Sequence, residues 1–174
     1  MLSSASNLEP PKTLTRRKAA CLLWSVVAAL ALAGIGPAVA RRYQFALNET
    51  DSLPNWAFFI DKSQTLPDRG QFFEFIAPPN PYYPAGFRFT KRVAGVPGDI
   101  VSIKGREFFI NGQSVGEAKR EDKEGRVAIM ADGGIIPPRR YFMMTPSRDS
   151  LDSRYAVIGL IEASRLVGRA YPVM

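Results

Sequence analysis

The feature of this sequence that most constrains its fold is an uncharged stretch of 22 residues, Ala19 to Ala40, rich in Ala, Leu and Val. A helix of that length, at about 1.5 Å per residue, crosses a hydrocarbon core of roughly 30 Å. Residues 1–18 before it are polar and end in three consecutive basic residues. By the positive-inside rule, the sequence predicts a cytoplasmic basic tail over 1–18, a transmembrane anchor over 19–40 and an exported domain over 43–174.

The same stretch has an alternative interpretation as a cleaved secretory leader. Ala38-Val39-Ala40 has the small-x-small pattern of a cleavage site. Two features favour a retained anchor. The apolar run is longer than the roughly 7 to 15 residues of most leaders, and Arg41-Arg42 directly after the site is unfavourable for cleavage.

The net charge of the chain is +7, which raises the question of nucleic-acid binding. Residues 1–42 carry six Lys or Arg and one Asp or Glu, whereas residues 43–174 carry seventeen and fifteen. The exported domain is therefore almost neutral and lacks the clustered basic surface that binds phosphate backbones. We predict a lipid bilayer, and no nucleic acid, as a partner.

The chain contains no histidine and a single cysteine, Cys21. Ser-His-Asp and Cys-His mechanisms and nearly all catalytic zinc sites require an imidazole. One cysteine forms no disulfide within the chain. We therefore predict no metal and no other cofactor, and any hydrolase built on this sequence must use another base.

Beyond Tyr43 the chain consists of short alternating segments divided by Gly and Pro, without a long 3.6-residue period. This pattern predicts a mainly β domain of antiparallel sheets. The predicted elements are strands over 87–93, 100–103, 106–110 and 113–115, a turn over 95–99, a hairpin turn at Asn111-Gly112 and a solvated loop over 117–126.

Lysine can act as the base of a histidine-free hydrolase if its surroundings lower its pKa by about 2 to 4 units from roughly 10.4. In the predicted strand over 87–93, alternation places Lys91 on the same face as Phe89 and Val93. Burial on that apolar face would lower the pKa of Lys91. The alternative is an exposed lysine on an edge strand.

The nine residues from Lys91 to Asp99, Lys-Arg-Val-Ala-Gly-Val-Pro-Gly-Asp, resemble the Lys-Arg-x-x-Gly-x-Pro-Gly-Asp block of type I signal peptidases. Segments 68–73, 141–144, 147–155 and 166–170 resemble other blocks of that family, in family order. Between the apolar stretch and these blocks, residues 48–54 read Asn-Glu-Thr-Asp-Ser-Leu-Pro. A Ser-x-Pro preceded by Asn-x-Thr is similar to the TraF subgroup, conjugative-transfer peptidases that mature pilin subunits, some by head-to-tail cyclisation.

The resemblance implies a Ser/Lys dyad in which Ser52 is the nucleophile and Lys91 the general base. Thr50 matches a hydroxyl that joins the backbone N–H of Ser52 in an oxyanion hole, and its alternative is an ordinary strand residue. The implied supporting residues are Ser150, which orients the lysine amine, and Asp152 with Arg154, whose alternative is a structural ion pair without effect on chemistry.

Three departures from the family pattern affect the site region. Trp56 stands where the TraF subgroup usually has Gly, and Thr145-Pro146-Ser147 stands where housekeeping enzymes carry Gly-Asp-Asn. One residue of the family pattern is missing between Asp149 and Ser150. The aromatic and proline-rich segment 77–84, with Trp56, Phe58 and Phe59, could form a surface at the membrane interface or could be a rigid loop with core packing.

The resemblance implies a membrane-anchored serine endopeptidase of the bacterial inner membrane, with its catalytic domain in the periplasm and a precursor protein as substrate. We expect maturation of a conjugative pilin. The alternatives are a housekeeping signal peptidase, which removes secretory signal peptides, and a catalytically silent assembly module that keeps the fold.

Overall fold

The computed structural model describes residues 16–47, Leu53, Asn55 and residues 57–173. Ser52, Thr50 and Trp56 lie outside the described residues. The chain divides into two units, one ending at Ala40 and the other beginning at Arg41.

The described part of the first unit is helical: helix α1, Arg16–Arg42, includes Pro37, and its last two residues belong to the second unit. Its length and composition suffice to cross a membrane, and none of its residues is buried. The uncharged stretch 19–40 lies inside this helix, which begins among the basic residues before the stretch and ends at Arg42 after it. A helix near an N-terminus with these properties is consistent with an anchor and equally with a leader.

In the described part of the second unit, the chain forms short strands and a turn of 3₁₀ helix, Ala163–Arg165. The strands are β1 Tyr43–Leu47, β2 Ala57–Asp61, β3 Phe72–Ile76, β4 Arg88–Gly95, β5 Ile100–Lys104, β6 Glu107–Ile110, β7 Gln113–Glu117, β8 Gly134–Ile135, β9 Arg140–Met144, β10 Ile161–Glu162 and β11 Leu166–Pro172.

These strands form two sheets. Seven of them lie in the order β1-β2-β11-β3-β4-β9-β10, and the other four in the order β7-β6-β5-β8. Each pairing between these strands is antiparallel. The prediction of a mainly β domain of antiparallel sheets after one apolar helix is confirmed.

Strand β9 separates two hydrophobic cores. Tyr141 and Met143 pack in the core beneath the seven-stranded sheet, whereas Phe142 and Met144 pack in the core beside the four-stranded sheet. Successive side chains of a strand point to opposite faces, so a strand buried on both faces needs an unbroken apolar run. The sequence Tyr-Phe-Met-Met over 141–144 is such an apolar run. Because β9 is buried on both faces, the chain enters the interior at Met144.

The predicted hairpin is confirmed. Ile110 pairs with Gln113, and Asn111 and Gly112 have φ angles of 50° and 80°. Two-residue hairpin turns of type I′ require positive φ at both central positions, which is why Asn-Gly is favoured there. The segment 118–126 that follows β7 is mostly exposed, as expected, but Ala118 is buried against the second core.

The aromatic residues for which both a membrane surface and core packing were possible divide between core and surface. Phe58 is 1% exposed and packs with Leu53, Ile60 and Ala170, as the core alternative describes. Tyr83 packs against the first core, whereas Tyr82 is 38% exposed.

The turn between β4 and β5 is closed by Asp99. Its carboxylate accepts hydrogen bonds from the Val96 backbone N–H at 2.7 Å, from Arg69 Nη2 at 2.6 Å and from Asn111 Nδ2 at 2.8 Å. Gly98 has a φ of 91°, as the third position of a type II turn requires. The Gly-x-Pro-Gly-Asp part of the motif therefore fixes the path of the chain after β4.

We expect Asp99→Ala to lower the free energy of unfolding by about 2–4 kcal/mol, because three donors lose a buried charged acceptor. Chemical denaturation of the detergent-solubilised protein measures the change. Asp68→Ala is the matched control: Asp68 is exposed and accepts one bond from the Gln71 amide, so its loss should cost less than about 1 kcal/mol. Equal effects of the two substitutions would contradict this role of Asp99.

Candidate active site

Lys91 lies in the middle of β4 on its buried face. Phe89, Lys91 and Val93 are 7%, 4% and 0% exposed, whereas Arg88 and Arg92 on the other face are exposed. The alternation predicted from the sequence is therefore present, and the edge-strand alternative is wrong, because β3 and β9 pair with β4 on its two sides.

The amine of Lys91 contacts a hydroxyl that is distant in sequence and an aromatic ring on its own strand. Nζ donates a hydrogen bond to Ser150 Oγ at 2.9 Å, and Ser150 is itself 2% exposed. Nζ also lies 5.3 Å from the centre of the Phe89 ring. The structure thus brings together two of the residues that the resemblance singled out, although 58 residues separate them in the chain.

Burial lowers the pKa of Lys91 from its usual value of 10.5 to about 8. The charge of Asp152 raises this pKa and the charge of Arg154 lowers it, both by less than desolvation does. A cation loses its hydration in an apolar environment, and this destabilises the protonated form. An amine with a pKa near 8 is unprotonated in an appreciable fraction of molecules at neutral pH, as a base requires.

Asp152 and Arg154 form a buried ion pair beside the lysine, 0% and 1% exposed. Arg154 Nε donates to Oδ1 at 2.9 Å and Nη2 donates to Oδ2 at 2.8 Å, the two-point geometry that suits a guanidinium and a carboxylate. Arg154 also donates to the backbone carbonyls of Glu117 at 3.0 Å and Ser147 at 2.8 Å. The pair therefore holds the loop before Ser150 against the end of β7.

Ser153 ties the same segment to β9 and was not singled out from the sequence. Its backbone N–H donates to the Met143 carbonyl at 2.9 Å, and its hydroxyl accepts from the Met143 N–H at 2.9 Å. Ser153 is 0% exposed. In the sequence, Ser153 lies between two charged residues of a family block, and this position alone does not indicate a contact with the backbone of β9.

Ser52 and Thr50 lie outside the described residues, so their predicted places in the site stay predictions. Leu53, the residue after Ser52, is described and is 6% exposed in the small core with Phe58 and Ile60.

A cleft of about 520 Å³ opens beside Ser150. Its walls include the exposed side chains of Val127 and Ile129, the ring of Tyr82, and Leu151. Ser150 lines this cleft and also accepts the hydrogen bond from Lys91. Within the described ranges, no group of three or more Cys, Asp or Glu residues is arranged to hold a metal ion.

The sequence model of the family described as signal peptidase, peptidase S26, matches residues 18–174, so the chain belongs to this family. It is 36% identical to signal peptidase I of Bacillus amyloliquefaciens over 88 aligned positions, 46% of this chain and 45% of the relative. It is 31% identical to signal peptidase I of Pseudomonas fluorescens over 142 aligned positions, 62% of this chain and 49% of the relative.

The chain thus spans about half the length of the curated relatives it matches. Among solved structures, a signal peptidase I from Enterococcus faecalis V583 is 26% identical, with a TM-score of 0.40, and covers 60% of this chain and 96% of that chain.

We expect Lys91→Met to stabilise the protein at pH 7 by about 1–3 kcal/mol, because the folded wild type carries a desolvated cation there. The pKa of Lys91 is about 8 in the folded state. The unfolded value is near 10.4, so the advantage of Met is full below about pH 8 and shrinks as the pH rises towards 10.4.

Thermal unfolding followed between pH 7 and pH 10 checks this expectation, with Lys104→Met as the control. Lys104 is exposed at the end of β5, and its substitution should change Tm little at any pH. A Tm for Lys91→Met at or below that of wild type at pH 7 would show that burial of the amine costs nothing.

Proposed function

We propose that this protein is a membrane-anchored serine endopeptidase that cleaves exported precursor proteins, with Ser52 as nucleophile and Lys91 as general base. The observation that carries the proposal is the buried Lys91 amine, whose pKa is about 8, on the strand that bears the signal peptidase block. A histidine-free chain needs a base of this kind for serine chemistry.

In the proposed reaction, Lys91 takes the proton of the Ser52 hydroxyl as Oγ attacks the scissile carbonyl. The Thr50 hydroxyl and the Ser52 backbone N–H then donate hydrogen bonds to the oxyanion. Such preorganised donors are worth roughly 2.7 to 4 kcal/mol of barrier each. Ser150 orients the amine through its 2.9 Å hydrogen bond, and Asp152 with Arg154 supports Ser150. No step requires a cofactor.

The substrate class follows from the family: a precursor that carries a signal peptide and is tethered to the membrane when it is cut. We place α1 in the bacterial inner membrane as a single-pass anchor and residues 43–174 in the periplasm, because basic residues precede the apolar stretch. An anchored enzyme would meet such a precursor at the membrane surface.

We expect Ser52→Ala, Lys91→Ala and Lys91→Arg each to abolish cleavage of a fluorogenic precursor peptide. A guanidinium stays protonated near neutral pH and cannot accept the proton. The Ser52→Ala/Lys91→Ala double variant should be scarcely slower than either single variant, because nucleophile and base act as a unit.

In the wild type, kcat/KM should rise with pH through an apparent pKa of about 8, since the base acts in its neutral form. Substantial cleavage by Lys91→Arg would remove Lys91 from the mechanism. A folded wild type that leaves every precursor uncut would favour the silent assembly module.

A narrower candidate function is maturation of a conjugative pilin. It is supported by Asn48-x-Thr50-x-Ser52-x-Pro54, which is similar to the TraF subgroup. Thr145-Pro146-Ser147 is a departure from the Gly-Asp-Asn of housekeeping enzymes. The housekeeping alternative, removal of many secretory signal peptides, is supported by relatives that are described as signal peptidase I.

Intact-mass spectrometry of precursors co-expressed with this protein distinguishes the two functions. The pilin function predicts processing of a pilin precursor but not of unrelated secretory precursors, and a product lighter by the released peptides and one further water would indicate cyclisation. Cleavage of unrelated precursors at comparable rates would contradict the pilin function. Co-expression with Ser52→Ala is the control for processing by the host.

A further inference from the structure

Thr145 carries a buried hydroxyl that has no hydrogen-bond partner among the residues that the structure describes. The residue is 0% exposed, and its backbone is held on both sides. Its N–H donates to Asp152 Oδ2 at 3.4 Å, and its carbonyl accepts from Arg154 Nη2 at 3.5 Å. Burying a hydroxyl is unfavourable unless it is paired. The position of Thr145 therefore points to a neighbouring group that can donate a hydrogen bond to this hydroxyl.

The strand register shows which group could be that partner. In the pairing of β4 with β9, Arg92 is opposite Met144 and Val93 is opposite Met143. One further step in the same register places Thr145 opposite Lys91. Directly opposite residues of an antiparallel pair share a face, with Cβ atoms about 4.5–5.5 Å apart. The long side chain of Lys91 can therefore bring its amine to the Thr145 hydroxyl.

We propose that Thr145 is a positioning residue for Lys91, and that its hydroxyl accepts a hydrogen bond from the ammonium form of Lys91, including the ammonium formed when Lys91 takes the proton of Ser52. This inference rests on the proposed dyad. In that step the Oγ–H bond of Ser52 breaks, a third N–H bond forms at Nζ, and Oγ bonds to the substrate carbonyl carbon. The π electrons of the carbonyl move to its oxygen.

The two hydroxyls then fix the direction of the proton that Lys91 gives back. Ser150 Oγ accepts one N–H, as it does in the structure, and Thr145 Oγ1 accepts a second. The third N–H is left pointing to the departing amine nitrogen, which takes this proton as the C–N bond breaks. Hydrogen bonds to an ionised group are stronger than those between neutral groups, so the ammonium is the form of Lys91 that Thr145 favours.

The test replaces the hydroxyl without changing the volume. Thr145→Val should lower kcat/KM on its alkaline plateau by about tenfold or more, because an acceptor for a charged donor is lost. It should also shift the apparent pKa in kcat/KM below that of wild type, since the ammonium loses a stabilising contact. Thr145→Ser keeps the hydroxyl and should retain most activity and the wild-type pH profile.

Stability separates this role from a structural one. At a pH well above 8, where Lys91 is mostly neutral, Tm of Thr145→Val should equal or exceed that of wild type, because a methyl group replaces an unpaired hydroxyl. Thr90→Val is the matched control: Thr90 is half-buried on the opposite face of β4, and its substitution should leave the pH profile unchanged.

The role of Thr145 would be overturned if Thr145→Val had the wild-type alkaline plateau and apparent pKa in kcat/KM. If Lys91→Arg were inactive in the same assay, the dyad would remain intact. Substantial cleavage by Lys91→Arg would instead overturn the dyad, and the role of Thr145 with it.

Discussion

Exclusion of water from a single lysine amine is the constraint on which the rest of this structure depends. Lys91 is 4% exposed, and its pKa is about 8 because burial destabilises the protonated form. That burial requires partners for β4 on both edges, apolar neighbours on the same strand face and a covering segment that carries Ser150. An amine at the same place on an open edge would keep its ordinary pKa and could not accept a proton from a serine at neutral pH.

The buried ion pair has an electrostatic consequence as well as a structural one. The charge of Asp152 raises the pKa of Lys91, and the charge of Arg154 lowers it. If Asp152 were unpaired, its carboxylate would stabilise the ammonium of Lys91 more strongly and raise the pKa of Lys91 towards its ordinary value. Because Arg154 takes both carboxylate oxygens, the pair organises the segment around Ser150 while leaving desolvation as the dominant influence on the amine.

The sequence motif that begins at Lys91 contains residues of two kinds: Lys91 is the proposed base, and the residues at the end of the motif form the turn after β4. Gly98 supplies a positive φ, and Asp99 joins the turn to Arg69 and Asn111. These residues fix where β4 ends and β5 begins. The motif is specific because the turn that directly follows the strand of the base requires particular residues at Gly98 and Asp99.

The sequence by itself determined the apolar helix, the antiparallel β class, the Asn111-Gly112 hairpin and the face of β4 on which Lys91 lies. Each of these depends on local periodicity or on the φ preferences of one or two residues. It did not determine that Ser150 meets Lys91 at 2.9 Å, that Ser153 binds the backbone of β9, or that Phe58 is buried.

The contacts of Ser150 and Ser153 arise where β9 passes between two cores and carries the following segment back towards β4, whereas Phe58 is buried in a separate small core with Leu53, Ile60 and Ala170. The unpaired hydroxyl of Thr145 belongs to the same group of features, since the sequence marks it only as a departure from the family pattern. Local pattern fixes which face a side chain occupies, but only the pairing of distant strands decides what it meets there.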